Sequence, residues 1–142
     1  MKPVDQIIHN PPEQIGTCFR ACIASVLEID VDDIPHLEKM MYYKKAGYWK
    51  GKFYKWAYDL GYGVCEWELN FIHSFDDYPD AIAIPSDEIL IASGRSPRHD
   101  SANHSVVWKD GEILHDPHPS RDGLASDPFI FTYIFPLSQK SS

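Results

Sequence analysis

Long apolar runs are missing from this chain. Nowhere in its 142 residues do about 18 apolar side chains follow one another, which excludes a helical membrane span from the reading. The opening "MKPVDQIIHNPPEQ" also lacks an apolar stretch of signal-peptide length, so the expectation is a cytoplasmic protein with no membrane partner. Cysteine is scarce: three residues cannot all pair within one chain, which fits a reducing compartment where thiols are available for chemistry. Positive charge is scarce too. Thirteen Lys and Arg stand against 21 Asp and Glu, and the formal charge of −8 repels phosphate backbones, so nucleic acid is not an expected partner. Lys44, Lys45, Lys50, Lys52 and Lys55 do cluster, but aromatic and helix-forming residues interleave them as on a solvated helix face.

What is present suffices for one core. At 44% hydrophobic and 16.3 kDa, with Gly and Pro spread along the chain, the sequence reads as a single globular domain over 1–142. Residues 1–16 carry three prolines and no sustained period, and read as an extended arm; 137–142 reads as a flexible tail.

From Thr17, a plausible N-cap, the apolar positions Phe19, Cys22, Ile23, Val26 and Leu27 recur at steps of three and four, which predicts a one-sided helix with Cys18 in its first turn. "DVDDIPHLEKMMYYKKAG" predicts a short turn, an interruption at Pro35 and a second helix closed by Gly47. In "WKGKFYKWAYDLG" Trp49, Phe53, Trp56, Ala57 and Leu60 share one helical face, with Gly61 as the stop.

The period then changes to two, with Cys65, Trp67 and Leu69 inward against Glu66 and Glu68. "AIAIP", "EILIAS", "HSVVW", "EILH" and "FIFTYIF" follow as short runs divided by turn residues. Helices in the first half and strands in the second predict an α+β fold, its strands close enough together to be antiparallel.

The chemistry gathers at two stretches. In "GTCFRACIAS" a thiol at the head of a helix meets the positive end of the macrodipole, which favours thiolate. In "NHSVVWKDGEILHDPHPS" His104 opens one strand and Asp116 closes the next. A three-residue loop of Lys109, Asp110 and Gly111 sets His104 opposite Asp116. A two-residue Asp110–Gly111 turn sets His104 opposite Pro117 instead and points Asp116 to the other face. With both side chains on one face, a cysteine at a helix tip completes nucleophile, base and orienting group.

A Cys heading the first long helix, then a His starting a strand, then an Asp-Pro ending the following strand is similar to the papain-like cysteine peptidases, most closely their C39-like bacterial branch. The chain also resembles small phage and bacterial proteins carrying "CFRAC", "SGRSPR", a strand-opening His and "HDPHPS", over a span from Gln6 to Ser120. The resemblance implies a papain-like α+β fold in a bacterial or phage-infected cell, with Cys18 as nucleophile, His104 as base and Asp116 as orienter. It implies a hydrolase (peptidase, isopeptidase or amidase) that forms an acyl-enzyme on Cys18 with no cofactor. The substrate is then a peptide or protein, or a small acyl or amide compound. Handing the same thioester to an amine makes an acyltransferase. The reading from another class is a catalytically silent binding protein whose acidic surface suits a basic partner. One departure stands out: the resemblance implies an oxyanion-stabilising Gln some six residues before the Cys, whereas here Gln14 is four residues before it and Gln6 twelve.

Other residues have competing readings. Cys22 and Cys65 read as core. Cys18, Cys22, His99, His104, His115, Asp116 and His118 include enough ligand types for zinc, but Cys-x3-Cys on a helix and two histidines astride a proline are poor metal spacings, so no metal is assigned. His115, one residue off Asp116, is expected on the opposite face, and His9, His36 and His73 show no partner pattern. "SGRSPRHDSAN" reads as a cleft wall in which Arg95 or Arg98 holds a substrate carboxylate.

Overall fold

The computed structural model describes residues 1–6, 17–37, 48–68, 87–99 and 102–137, with the side chains of 48 and 49 outside that set. The helices α1 (Cys18–Leu27) and α2 (Tyr48–Asp59) precede five strands: β1 (Tyr62–Glu68), β2 (Leu90–Arg95), β3 (Asn103–Lys109), β4 (Glu112–His115) and β5 (Ile130–Pro136). The strands form one sheet in the order β1-β5-β2-β3-β4 with every neighbouring pair antiparallel, an α+β architecture. No helix among the described residues is long and apolar enough to cross a membrane.

The α1 apolar positions enter the core as their spacing predicts, but the helix is not one-sided: Arg20, Ala21, Ala24 and Ser25 are buried too, while Val26 and Leu27 are only partly so. Phe19, Cys22 and Ile23 are buried against Ile91, Val107 and Ile134 of the sheet, and Phe53 of α2 meets Phe19 edge-on at 5.4 Å. Thr17 holds the N-cap position and its carbonyl accepts from the Ala21 N–H at 2.9 Å, but its side chain makes no capping bond. The short turn is a 3-10 turn over Val31–Asp33, capped by the Asp30 carboxylate, and Ile34 and Leu37 behind it enter the core. The second helix expected before Gly47 lies outside the described residues, as do the "AIAIP" strand and Leu69.

On α2 Phe53 and Ala57 are buried and Trp56 partly so, but Leu60 is 52% exposed, against expectation. The helix ends at Asp59, and the Leu60 N–H turns into a closing turn on the Trp56 and Ala57 carbonyls, which carries its side chain off the stripe; Gly61 follows at φ +91°. In β1 Trp67 and Glu68 lie as expected, packed and exposed in turn, but Cys65 and Glu66 do not. Cys65 is exposed, whereas Glu66 turns to the helix side, where Lys50 of α2 meets its carboxylate at 2.8 Å. A paired carboxylate satisfies that inward position, and Trp67 packs on the opposite face with Leu90, Ala92, Val106 and Phe131. With apolar clusters on both faces, β2 is buried along nearly its whole length.

The β3–β4 hairpin turns through Asp110 and Gly111, both with positive φ (54° and 81°), so Lys109 pairs with Glu112 and Trp108 with Ile113. This is the two-residue turn rather than the three-residue loop. A β-branched residue is strained at Gly111, so Gly111→Val is expected to lower stability by about 1–2 kcal/mol in urea denaturation.

Candidate active site

Taken alone, that turn points Asp116 away from His104. A bulge between Val107 and Trp108 reverses this: Val107 pairs with His115 rather than Leu114, so β4 advances by one extra residue and Asp116 regains the His104 face. His104 Nε2 and Asp116 Oδ1 are 2.6 Å apart, and both side chains are only 4% exposed. The carboxylate is held further by the backbone, which wraps around it. The His118 N–H donates to Oδ1 at 2.9 Å and the Gly123 N–H to Oδ2 at 2.7 Å. Burial disfavours this carboxylate, but the His104 bond and the two N–H donors outweigh it and hold its pKa down to about 2.

Cys18 is the first residue of α1 and is partly buried. The His104 ring lies close enough for it and the thiol to shift each other's pKa, and with Nε2 taken by Asp116, Nδ1 is the nitrogen left to face the sulfur. Ser105 adds two donors. β4 pairs with β3 no further than Val107, so Ser105 lies beyond the last rung, and its backbone N–H and hydroxyl help draw the Cys18 pKa down. Its hydroxyl is also 2.8 Å from that of its cross-strand partner Ser93, which must donate to Ser105 if Ser105 donates to sulfur.

These contacts decide the charges. Burial pushes the Cys18 thiol up, but His104 and the Ser105 donors more than offset it, leaving the thiol below its ordinary 9.0. Burial likewise favours neutral His104, yet its bonds to Asp116 and Cys18 raise it to about 9. The two shifts favour a thiolate–imidazolium pair over a neutral one. Ser105→Ala removes one donor, so the rate of Cys18 alkylation at about pH 6 should fall roughly three- to tenfold, with a smaller fall in Ser93→Ala.

The remaining candidates scatter. Cys22 is buried one turn inside α1, and burial together with the nearby Cys18 and Asp116 charges pushes its thiol well above 9.0. Gln6 is buried beside the Asp116 loop, its backbone N–H donating to the Pro117 carbonyl at 3.0 Å; Gln14 lies outside the described residues. Arg98 donates to the Ser120 hydroxyl at 3.0 Å and lies 3.8 Å from Asp122, a strap between the loop that leads into β3 and the loop that follows Asp116. Arg95 ends β2 opposite Asn103, exposed at the strand's rim.

His115 turns to the N-terminal arm, 3.2 Å from both the Val4 carbonyl and Asp5. His118 sets its ring edge-on to His104 at 6.2 Å and accepts the Ser120 N–H on Nδ1. His36, which the sequence left without a partner, bonds Arg20 of α1. His9 and His73 lie outside the described residues. Among the described residues no group of three or more His, Cys, Asp or Glu side chains is arranged to hold a metal ion.

Ser105, Ser93 and Gly123 carried no signal of their own: serines in strands and a loop glycine are ordinary, and only the register brings them to the sulfur and the carboxylate. Compared with protein-family models, with curated proteins and with solved structures, the chain matches none.

Proposed function

We propose that the chain is a cysteine-dependent hydrolase of amide bonds, a peptidase, isopeptidase or amidase with a papain-like arrangement of helix, strand and hairpin. The supporting observation is one ring held between two partners: His104 bonds Asp116 at 2.6 Å on Nε2 and faces the thiol at the head of α1 with its other nitrogen. A thiol drawn below its ordinary pKa beside a raised imidazole suits nucleophilic chemistry, whereas a binding module does not call for it.

In this mechanism the Cys18 sulfur attacks the carbonyl carbon, and the carbonyl π electrons move onto oxygen. The Cys18 N–H lies ahead of the first rung of α1 and serves as one donor to that oxyanion, with Gln6 the candidate for the second. The intermediate collapses as the C–N bond breaks, and His104 gives its proton to the leaving amine. Water then attacks the thioester, His104 takes a proton from it, and the carboxylic acid leaves as the thiolate returns. The same thioester attacked by an amine completes an acyl transfer. Asp116 stays ionised throughout, orienting the ring and stabilising its charged form.

The test is iodoacetamide alkylation at about pH 6 with peptide mapping, using exposed Cys65 as the internal reference. Cys18 is expected to react far ahead of Cys65 and Cys22, and to lose that lead in His104→Ala. Equal sluggishness at all three thiols removes the proposal.

A further inference from the structure

Arg121 lies in the loop after Asp116 with φ +57°, a left-handed backbone that a non-glycine residue keeps only where its surroundings hold it. Its own side chain supplies the hold. Nη1 donates to the Asp116 carbonyl at 2.6 Å and to the His118 carbonyl at 3.2 Å. The guanidinium also grips both carboxylate oxygens of Asp5, Nη1 on Oδ1 at 2.7 Å and Nη2 on Oδ2 at 3.1 Å. Such a two-pronged contact fixes angle as well as distance. Two more ties join the N-terminal arm to the same region: the Gln6 N–H on the Pro117 carbonyl, and His115 against Val4 and Asp5. The far end of the arm is fastened too, by the Lys2 N–H on the Ser25 carbonyl and the Val4 N–H on the Ser25 hydroxyl of α1.

We infer that Arg121 is a positioning residue for Cys18, His104 and Asp116: by fastening the Asp116 carbonyl to Asp5 it sets the angle at which the Asp116 carboxylate meets His104. Residues 1–6 thereby join the helix that carries the sulfur to the loop that carries the acid. The inference rests on the proposed reading of that site. Asp116 has two kinds of restraint, backbone donors on its carboxylate and Arg121 on its carbonyl. Releasing the carbonyl leaves the carboxylate freer to swing, so it stabilises the imidazolium less, and a weaker imidazolium stabilises the thiolate less. Arg121 and Asp5 are about half exposed (49% and 47%), so changing either strands no buried charge.

The test is the pH profile of Cys18 alkylation by iodoacetamide in the full chain, with melting temperature measured alongside. Arg121→Gln and Asp5→Asn are each expected to move the acid limb to higher pH, lowering the rate at about pH 6 roughly three- to tenfold. The double variant is expected to do no worse than the weaker single one, since both changes remove the same contact. Arg121→Lys should recover only part of the rate, because one ammonium cannot span Asp5 and the Asp116 carbonyl as the fork does. Lys55→Gln, on the exposed side of α2, should leave the limb in place. An unmoved limb in Arg121→Gln and Asp5→Asn, while Cys18 stays the fast thiol of the parent, overturns the inference and leaves the proposed function standing; so does a lowered melting temperature with an unmoved limb. A parent whose Cys18 has no lead over Cys65 overturns that function, and the inference with it.

Discussion

His104→Ala is expected to slow alkylation of Cys18 at about pH 6 by roughly tenfold or more. In the parent the thiol is held below its ordinary 9.0 by the ring and by Ser105. Without the ring the burial remains while the main compensating charge is gone, so the thiol returns to 9.0 or above. Each unit by which the thiol's pKa rises above the assay pH costs about tenfold in thiolate. Part of this comes back, because a thiolate of higher pKa is the better nucleophile, with a Brønsted slope of about 0.4–0.5. The net effect is a fall of roughly tenfold or more, read against Cys65 in the same sample. An undiminished rate means the ring does not hold the sulfur as an anion.

Asp116→Ala should cost about 3 kcal/mol of folding stability near neutral pH, because it leaves a buried imidazole without its acceptor and two loop N–H groups without theirs. The pH dependence carries the diagnosis. His104, raised from 6.5 to about 9, contributes stability that is full below 6.5 and fades as pH rises through about 9. Asp116, lowered from 3.8 to about 2, contributes stability that is full above 3.8 and fades as pH falls through about 2. These are two views of one interaction and count once. The gap between parent and variant should therefore be widest between pH 3.8 and 6.5 and shrink above about 9, as chemical denaturation across that range will register. A gap of constant size points to packing alone.

The helix-head thiol, the strand-opening His104 and the strand-closing Asp116 were legible in the sequence because each sits where one element gives way to another. How they meet was not. The Asp110–Gly111 turn by itself sends Asp116 to the wrong face, and the residue that corrects it, Leu114 in the bulge, looks like any strand leucine. A period-two reading has no place for an extra residue, because the bulge is set by how the two strands lie together rather than by local preference. The exchange of Cys65 and Glu66 in β1 had a similar cause. Glu66 looked like the solvent side until Lys50, distant in sequence, arrived from α2. Ser105 was invisible for the opposite reason: it obeys strand patterning and does its work through a backbone N–H that β4 stops short of pairing.

The most direct measurement is an NMR titration of the His104 ring in the parent and in Cys18→Ala. A thiolate–imidazolium pair braced by Asp116 requires a midpoint at about 9 in the parent and a lower one once the sulfur is gone. A ring that titrates at its ordinary 6.5 in both proteins contradicts it.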